Sequence, residues 1–289
     1  MLEKKKVTRR KILKAGLTGL AVSSVSSGSS FAATKVPGEI RVLFLVGDIW
    51  HNSVRQESHW RRVLGVTGWR LMFAQSSQFV TPAVLADTDL FIFARYAGGD
   101  SLGWSPEGII EKRPRSAPWM TDEQQDAIYD NVTKRGMGII PVHCSMWNPD
   151  RPKFMELIGV KEPLMHGPIM NTSFYDLNRN HPITKGLEPF ETEDEIFGAN
   201  MAESGYVPLM RANQKGWSPA GIIDPPLDRP AAWAREAGNG RVVVLNCLAS
   251  HECYWKREMK ELMWRSAHWA MKMDIPESGL IEGRSQDRE

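Results

Sequence analysis

The run Ile40-Arg41-Val42-Leu43-Phe44-Leu45-Val46 carries one charge and no polar alternation, so neither of its faces can be left to water. A strand buried on both faces belongs in a parallel sheet covered by helices on each side. The run ends in Gly47-Asp48-Ile49-Trp50-His51-Asn52, and from Ser53 to Leu64 the apolar positions Val54, Trp60, Val63 and Leu64 alternate with charges as on an amphipathic helix, with Asn52 or Ser53 as N-cap. Trp69–Ala74 and Asp89–Ala94 read as second and third strands. This β-α-β-β rhythm predicts an α/β fold with a doubly wound, mainly parallel sheet.

From Arg95 to Trp119 the periodicity stops, and this long irregular segment, with Asp100 and Trp104 in it, reads as a binding loop or lid at the carboxyl end of the third strand. Thr121 and Gln124 have capping-box spacing and open a helix to Lys134 that closes at Gly136. A fourth strand, Met137–Pro141, discharges into His143, Cys144 and Ser145, where an open α/β sheet keeps its chemistry. Arg151–Ile158 is a short helix stopped by Gly159. Residues 160–228 alternate in short runs, Met165–Tyr175 and Tyr206–Met210 among them, and predict an antiparallel extension packed on the main sheet. Pro230–Ala234 and Arg241–Cys247 are the last strands, a helix runs from Tyr254 to Met271, and the tail from Glu277 is polar and expected to be disordered.

The N-terminus is different in kind. Arg9-Arg10 precedes a mildly apolar, Gly/Ser-diluted run from Ala15 to Val25, too short and weak to span a membrane, and Ser30-Phe31-Ala32 offers small residues for cleavage after Ala32. Residues 1–32 thus read as a twin-arginine signal peptide, 40–272 as one domain and 273–289 as the tail, and the protein is expected to be exported, for instance to the periplasm. The first 32 residues hold seven of the 36 Lys/Arg and one of the 34 acids, which leaves 29 basic and 33 acidic residues and a formal charge of −4 on the rest. No basic stripe with interleaved aromatics remains, so nucleic acid is not an expected partner. The three cysteines, Cys144, Cys247 and Cys253, leave at least one thiol unpaired; a Cys247–Cys253 bridge and three buried thiols both fit the spacing.

Three histidines follow three apolar strands: His51, His143 and His251. In a doubly wound sheet those strand ends share one rim, so the imidazoles are expected to converge as ligands for a divalent metal such as zinc, or as a metal-free acid/base pocket. Five acids lie between residues 188 and 195, and Glu195 among them is a candidate partner for an imidazole. Cys144 stands at a strand-to-helix turn with His143 and His251 as candidate bases, although its neighbours are larger than a nucleophile elbow prefers. Trp50 and Trp104 on the same rim suit the apolar face of a sugar ring.

The segments Val132–His143, Lys153–Gly159, Asn180-His181-Pro182-Ile183-Thr184-Lys185-Gly186-Leu187, Asp194-Glu195-Ile196-Phe197-Gly198 and Gly240-Arg241 leading to His251-Glu252 together resemble the trehalose-utilisation (ThuA-like) domain. The resemblance covers about Ile40 to Met271. It implies a flavodoxin-like three-layer α/β/α fold similar to class I glutamine amidotransferases, with histidine, here His143, where those enzymes carry the elbow cysteine. It also implies a link to disaccharides and modified sugars, and functional positions at His51, His143, His181, Glu195 and His251. The expected protein is therefore an exported, metal-assisted or histidine-based enzyme that hydrolyses, or eliminates from, a carbohydrate or keto-sugar derivative. His143, Glu195 and His251 are its expected catalytic residues, Trp50, Asp100, Trp104 and His181 its substrate contacts, and His51, His143 and His251 its metal ligands. The alternatives are a non-catalytic sugar-binding module and a Cys144-dependent hydrolase.

Overall fold

The computed structural model describes residues 35–48, 50–96, 119–218 and 221–280, together with the backbone of 104–105 and 108–109. The expected signal segment 1–32, Asp100 and the Trp104 side chain lie outside the described residues. The strand β1 (Arg41–Val46) is buried at every position. Its single charge is satisfied at the strand's start, where Arg41 pairs with Glu39 at 2.7 Å and Asp87 at 3.7 Å. Helix α1 (Ser53–Leu64) is capped by the Asn52 side chain, which accepts from the Arg55 N–H at 3.0 Å. It lays Trp60, Val63 and Leu64 on the sheet. Phe44 stacks on Phe73 at 4.2 Å and meets Trp60 at 5.6 Å. Truncating such a core aromatic to alanine costs about 3–5 kcal/mol.

The chain continues through β2 (Arg70–Ala74), α2 (Pro82–Ala86), β3 (Leu90–Ala94) and a two-residue pair, β4 (Trp104–Ser105) with β5 (Gly108–Ile109). Helix α3 (Asp122–Asp130) opens with the expected Thr121/Gln124 capping box. It then widens into a π-turn, Asn131–Arg135, that Gly136 closes at φ 94°. A Cβ at Gly136 would stand 2.9 Å from the Asn239 carbonyl oxygen, so only glycine fits this approach. There follow β6 (Gly138–Pro141), α4 (Pro152–Ile158), β7 (Val160–His166), β8 (Met170–Tyr175), β9 (Phe190–Asp194), β10 (Phe197–Met201), β11 (Val207–Ser218), β12 (Gly221–Ala237), β13 (Gly240–Leu245), α5 (His251–Trp255) and α6 (Arg257–Ala270).

Nine strands form one sheet in the order β2-β1-β3-β6-β13-β12-β11-β8-β9. The five from β2 to β13 are parallel, in the flavodoxin-like order. The four from β12 to β9 pair antiparallel and continue the same sheet as the expected extension. A separate ribbon pairs β7 with β10.

Three local expectations change. The run Met165–Tyr175 divides at Gly167-Pro168, so Met165 and His166 end β7 whereas β8 joins the large sheet. The last helix is two helices, because Lys256 is extended (φ −62°, ψ 133°) and ends α5. The start of the tail is folded: Leu280 is buried and its N–H donates to Glu261 at 2.9 Å. No helix among the described residues is long and apolar enough to cross a membrane.

Candidate functional site

In a sheet of this order the connections leave β1 and β3 on opposite sides, and the crevice beyond their carboxyl ends receives ligands. Gly47 starts the turn after β1 at φ 80°, where a Cβ would come within 2.5 Å of the Ser53 Cβ. Its carbonyl accepts from buried Arg95 at 2.7 Å, and Arg95 also reaches the Gln75 carbonyl at 3.0 Å, tying the ends of β1, β2 and β3 together.

Asp48 is fully buried by its side chain and accepts from the N–H groups of Trp50 (2.7 Å), His51 (2.9 Å) and Tyr96 (2.7 Å). Both its oxygens lie 2.8 Å from His51 Nδ1. Burial works against the Asp48 carboxylate, but His51 and these backbone donors overcome it and bring its pKa down to about 2. For His51, burial opposes the imidazolium, and the neighbouring Cys144 and Asp48 outweigh it to bring the pKa up to about 11. Since burial also pushes the Cys144 thiol up, the Asp48 carboxylate is the anion that holds His51 protonated.

His143 follows β6 with φ 49°, in the left-handed region that a side chain as large as histidine rarely enters. Ser145 fixes that turn, with its hydroxyl 2.6 Å from the Phe93 carbonyl and 3.2 Å from the Arg95 N–H. The strained elbow position therefore belongs to His143, and Cys144 is the residue after it. The His143 ring is 2% exposed, and neither ring nitrogen has a hydrogen-bond partner. Glu195 Oε1 lies 3.3 Å from its Nε2, a contact outside hydrogen-bond geometry that becomes an ion pair only when the ring is protonated. Burial lowers the His143 pKa against the pull of Glu195, so this ring is neutral at pH 7. Glu195 is itself held below the ordinary carboxylate range: burial raises it, and His143, His166 and His51 overcome that. His166 Nδ1 stands 3.2 Å from the same Oε1.

The groups surround one cavity of about 610 Å³, lined at its polar end by His51, His143, Cys144, His166 and Glu195 and elsewhere by Trp50, Tyr96, Trp147, Met165, Ile169, Phe197 and Ala249. Asp194, next to Glu195, accepts from the N–H groups of Leu248 (2.8 Å), Ala249 (2.9 Å) and Ser250 (2.9 Å), which positions the loop after β13.

The structure thus brings together His51, His143, Glu195 and Trp50, and places His251 and His181 elsewhere. His251 Nδ1 lies 3.0 Å from His59 Nε2, and its Nε2 accepts from Trp255 at 2.9 Å, so both ring nitrogens are taken outside the cavity. His181 accepts from the Ile183 N–H at 3.3 Å and packs on Trp269 at 5.1 Å. Among the described residues the donor group with zinc-like chemistry is accordingly Asp48, His51 and Cys144, whose ligand atoms lie within 4.8 Å of one another, and not three histidines. These donors suit a divalent ion, provided it displaces the proton that His51 and Asp48 share. Asp48, His166, Tyr96 and Phe197 were not picked out by sequence reasoning. Only Asp48 carried a signal, an acid three residues before a histidine at a strand end. The three cysteines are free and buried.

A family model described as ThuA, trehalose utilisation, matches residues 41–270. No curated protein matches the chain. Among solved structures, a ThuA-like protein from Parabacteroides merdae aligns with TM-score 0.60 at 16% identity over 83% of this chain and 94% of its own. A second, from Bacteroides uniformis, aligns with TM-score 0.59 at 13% identity over 83% and 94%. A cytoplasmic protein from Salmonella typhimurium follows at TM-score 0.52 and 11% identity over 80% and 99%. At such identities the likeness is one of fold.

Proposed function

Because this chain belongs to the ThuA, trehalose-utilisation, family, we propose that it is a histidine-based enzyme acting on a carbohydrate or keto-sugar derivative. The observation that carries this reading is the pair of imidazoles on one cavity, His51 held protonated by Asp48 and His143 held neutral by burial, with ring centroids 5.3 Å apart. Two titratable groups whose surroundings push them to opposite protonation states divide naturally into acid and base.

In an elimination, His143 takes the proton from the carbon beside a sugar carbonyl, the electron pair forms the double bond, and the glycosidic C–O bond breaks. His51 gives its proton to the departing oxygen. In hydrolysis, His143 takes the proton from an attacking water and His51 again protonates the leaving oxygen. In both, Glu195 stabilises the His143 imidazolium that forms. A divalent ion such as zinc, when bound, would be held by Asp48, His51 and Cys144 and would supply a Lewis acid at that end of the cavity. Burial pushes the Cys144 thiol up, and the His51 Nδ1 that lies 3.5 Å from it is engaged by Asp48, which favours the histidine pair over a Cys144 nucleophile.

We infer further that the protein is exported, on the support of Arg9-Arg10, the apolar stretch after it and the small residues ending at Ala32. Fusing residues 1–40 to a folded reporter tests this: the reporter reaches the periplasm only with both arginines present, and retention in the cytoplasm refutes it. The catalytic reading is tested by screening glycosides and oxidised glycosides for turnover with the parent chain and His143→Asn. Turnover lost in the variant supports it, and turnover equal in both refutes it.

A further inference from the structure

The cavity is graded in polarity in the opposite sense to an ordinary surface cleft. Its closed end is polar: His143 and Cys144 are each 2% exposed. Its open end is mainly apolar: Trp50 is 73%, Met165 64% and Ile169 49% exposed, with the partly exposed polar side chain of His166 beside them, turned to Glu195. Large hydrophobic side chains grouped at one mouth are costly in water and mark a binding surface. These three line the same cavity as the acid and the base, so a ligand engaged by His51 and His143 extends past them.

A second sugar ring at that mouth would turn its hydroxyls toward Met165 and Ile169, whose side chains neither donate nor accept as a hydroxyl requires. Hydroxyls stripped of water without replacement are destabilising. An aromatic or alkyl group would cover the same side chains and could lie on the Trp50 indole in offset or edge geometry. The cavity of about 610 Å³ has room for a sugar ring and such a group together. From this gradient we propose that the open end is an aglycone subsite and that the ligand is an aryl or alkyl glycoside, or its oxidised derivative, and not a disaccharide. This rests on the carbohydrate reading above and names the group that reading leaves open.

The test is equilibrium binding to the full chain, by calorimetry, of matched methyl and phenyl glycosides of several hexoses, of trehalose and maltose, and of benzyl alcohol as the apolar group alone. A phenyl glycoside is expected to bind roughly tenfold to a hundredfold more tightly than its methyl partner, and more tightly than either disaccharide. In Met165→Gln/Ile169→Gln that ratio is expected to fall to within about threefold of unity, with an unchanged circular dichroism spectrum as the check on folding. Should the double variant not fold, competition of benzyl alcohol with the phenyl glycoside on the parent chain replaces it. Equal binding of methyl and phenyl glycosides, or tighter binding of a disaccharide, overturns the apolar subsite and leaves the carbohydrate reading standing. Benzyl alcohol binding with no glycoside binding supports the subsite and overturns the carbohydrate reading. Failure of every probe overturns both.

Discussion

The imidazoles of His51 and His143 stand edge to face, 5.3 Å between centroids and 72° between planes, one hydrogen-bonded to a buried carboxylate and the other without a hydrogen-bond partner on either ring nitrogen. Protein interiors leave few buried polar atoms without a partner, and here the two nitrogens of one ring that lines the cavity are both among them. His143→Asn keeps a residue type that tolerates the left-handed backbone and removes the base. Turnover is expected to fall about 10²–10⁴-fold with the fold retained, read by steady-state kinetics beside thermal unfolding.

The Asp48–His51 pair ties stability to pH in a definite window. Asp48 titrates near 3.8 unfolded and about 2 folded, so its contribution is full above the first value and lost as pH falls through the second. His51 titrates near 6.5 unfolded and about 11 folded, so its contribution is full below the first and lost as pH rises through the second. Urea unfolding of the parent chain should show this contribution at its maximum between roughly pH 4 and 6.5, and Asp48→Asn should flatten both flanks. An unchanged pH profile in the variant would refute the ion pair.

A metal at Asp48, His51 and Cys144 must displace protons. Zinc titrated calorimetrically into the protein in buffers of different ionisation enthalpy should release protons and bind more tightly as pH rises. Asp48→Asn should abolish the binding. His251→Ala should leave it intact, because both nitrogens of that ring serve His59 and Trp255.

His59 provides a second pH dependence, away from the cavity. Burial, and then the neighbouring His251, Arg62, Lys260 and Arg55, lower its pKa to about 4. Between 6.5 and 4 the unfolded chain binds a proton that the folded chain refuses, so stability declines as pH falls across that interval. In His59→Gln this part of the acid decline should vanish, which the same denaturation series would measure.

Truncation after Pro276 removes Leu280, 5% exposed against α6. Burying a leucine side chain contributes about 1.5–3 kcal/mol, and a loss of that order should appear as a lower unfolding midpoint. No change would mean that the segment is a passive tail.

The parallel half of the sheet was legible because each strand, Ile40–Val46 above all, is apolar on both faces, and only a sheet covered on both sides satisfies that. The Thr121/Gln124 box was legible because its two hydrogen bonds are local. His51, His143 and Glu195 were readable as strand-end or near-strand polar groups. His251 was misplaced because position after a strand fixes the rim and not the direction of the side chain: Ser250 caps α5 and turns His251 toward α1. His166 was hidden inside a run that read as one strand, since nothing local shows that Gly167-Pro168 sends the two halves to different sheets.

Asp194 and Glu195 are neighbours with different duties, one gripping the loop after β13 and the other facing His143. Successive side chains of a strand point to opposite sides, and among the described residues β9 pairs on one flank only, with β8, Asp194 opposite Met170. A slip of one residue in that pairing would exchange the two carboxylates, pulling the loop anchor out and burying Glu195 in its place. The alignment of an edge strand is therefore what keeps the Glu195 charge against His143.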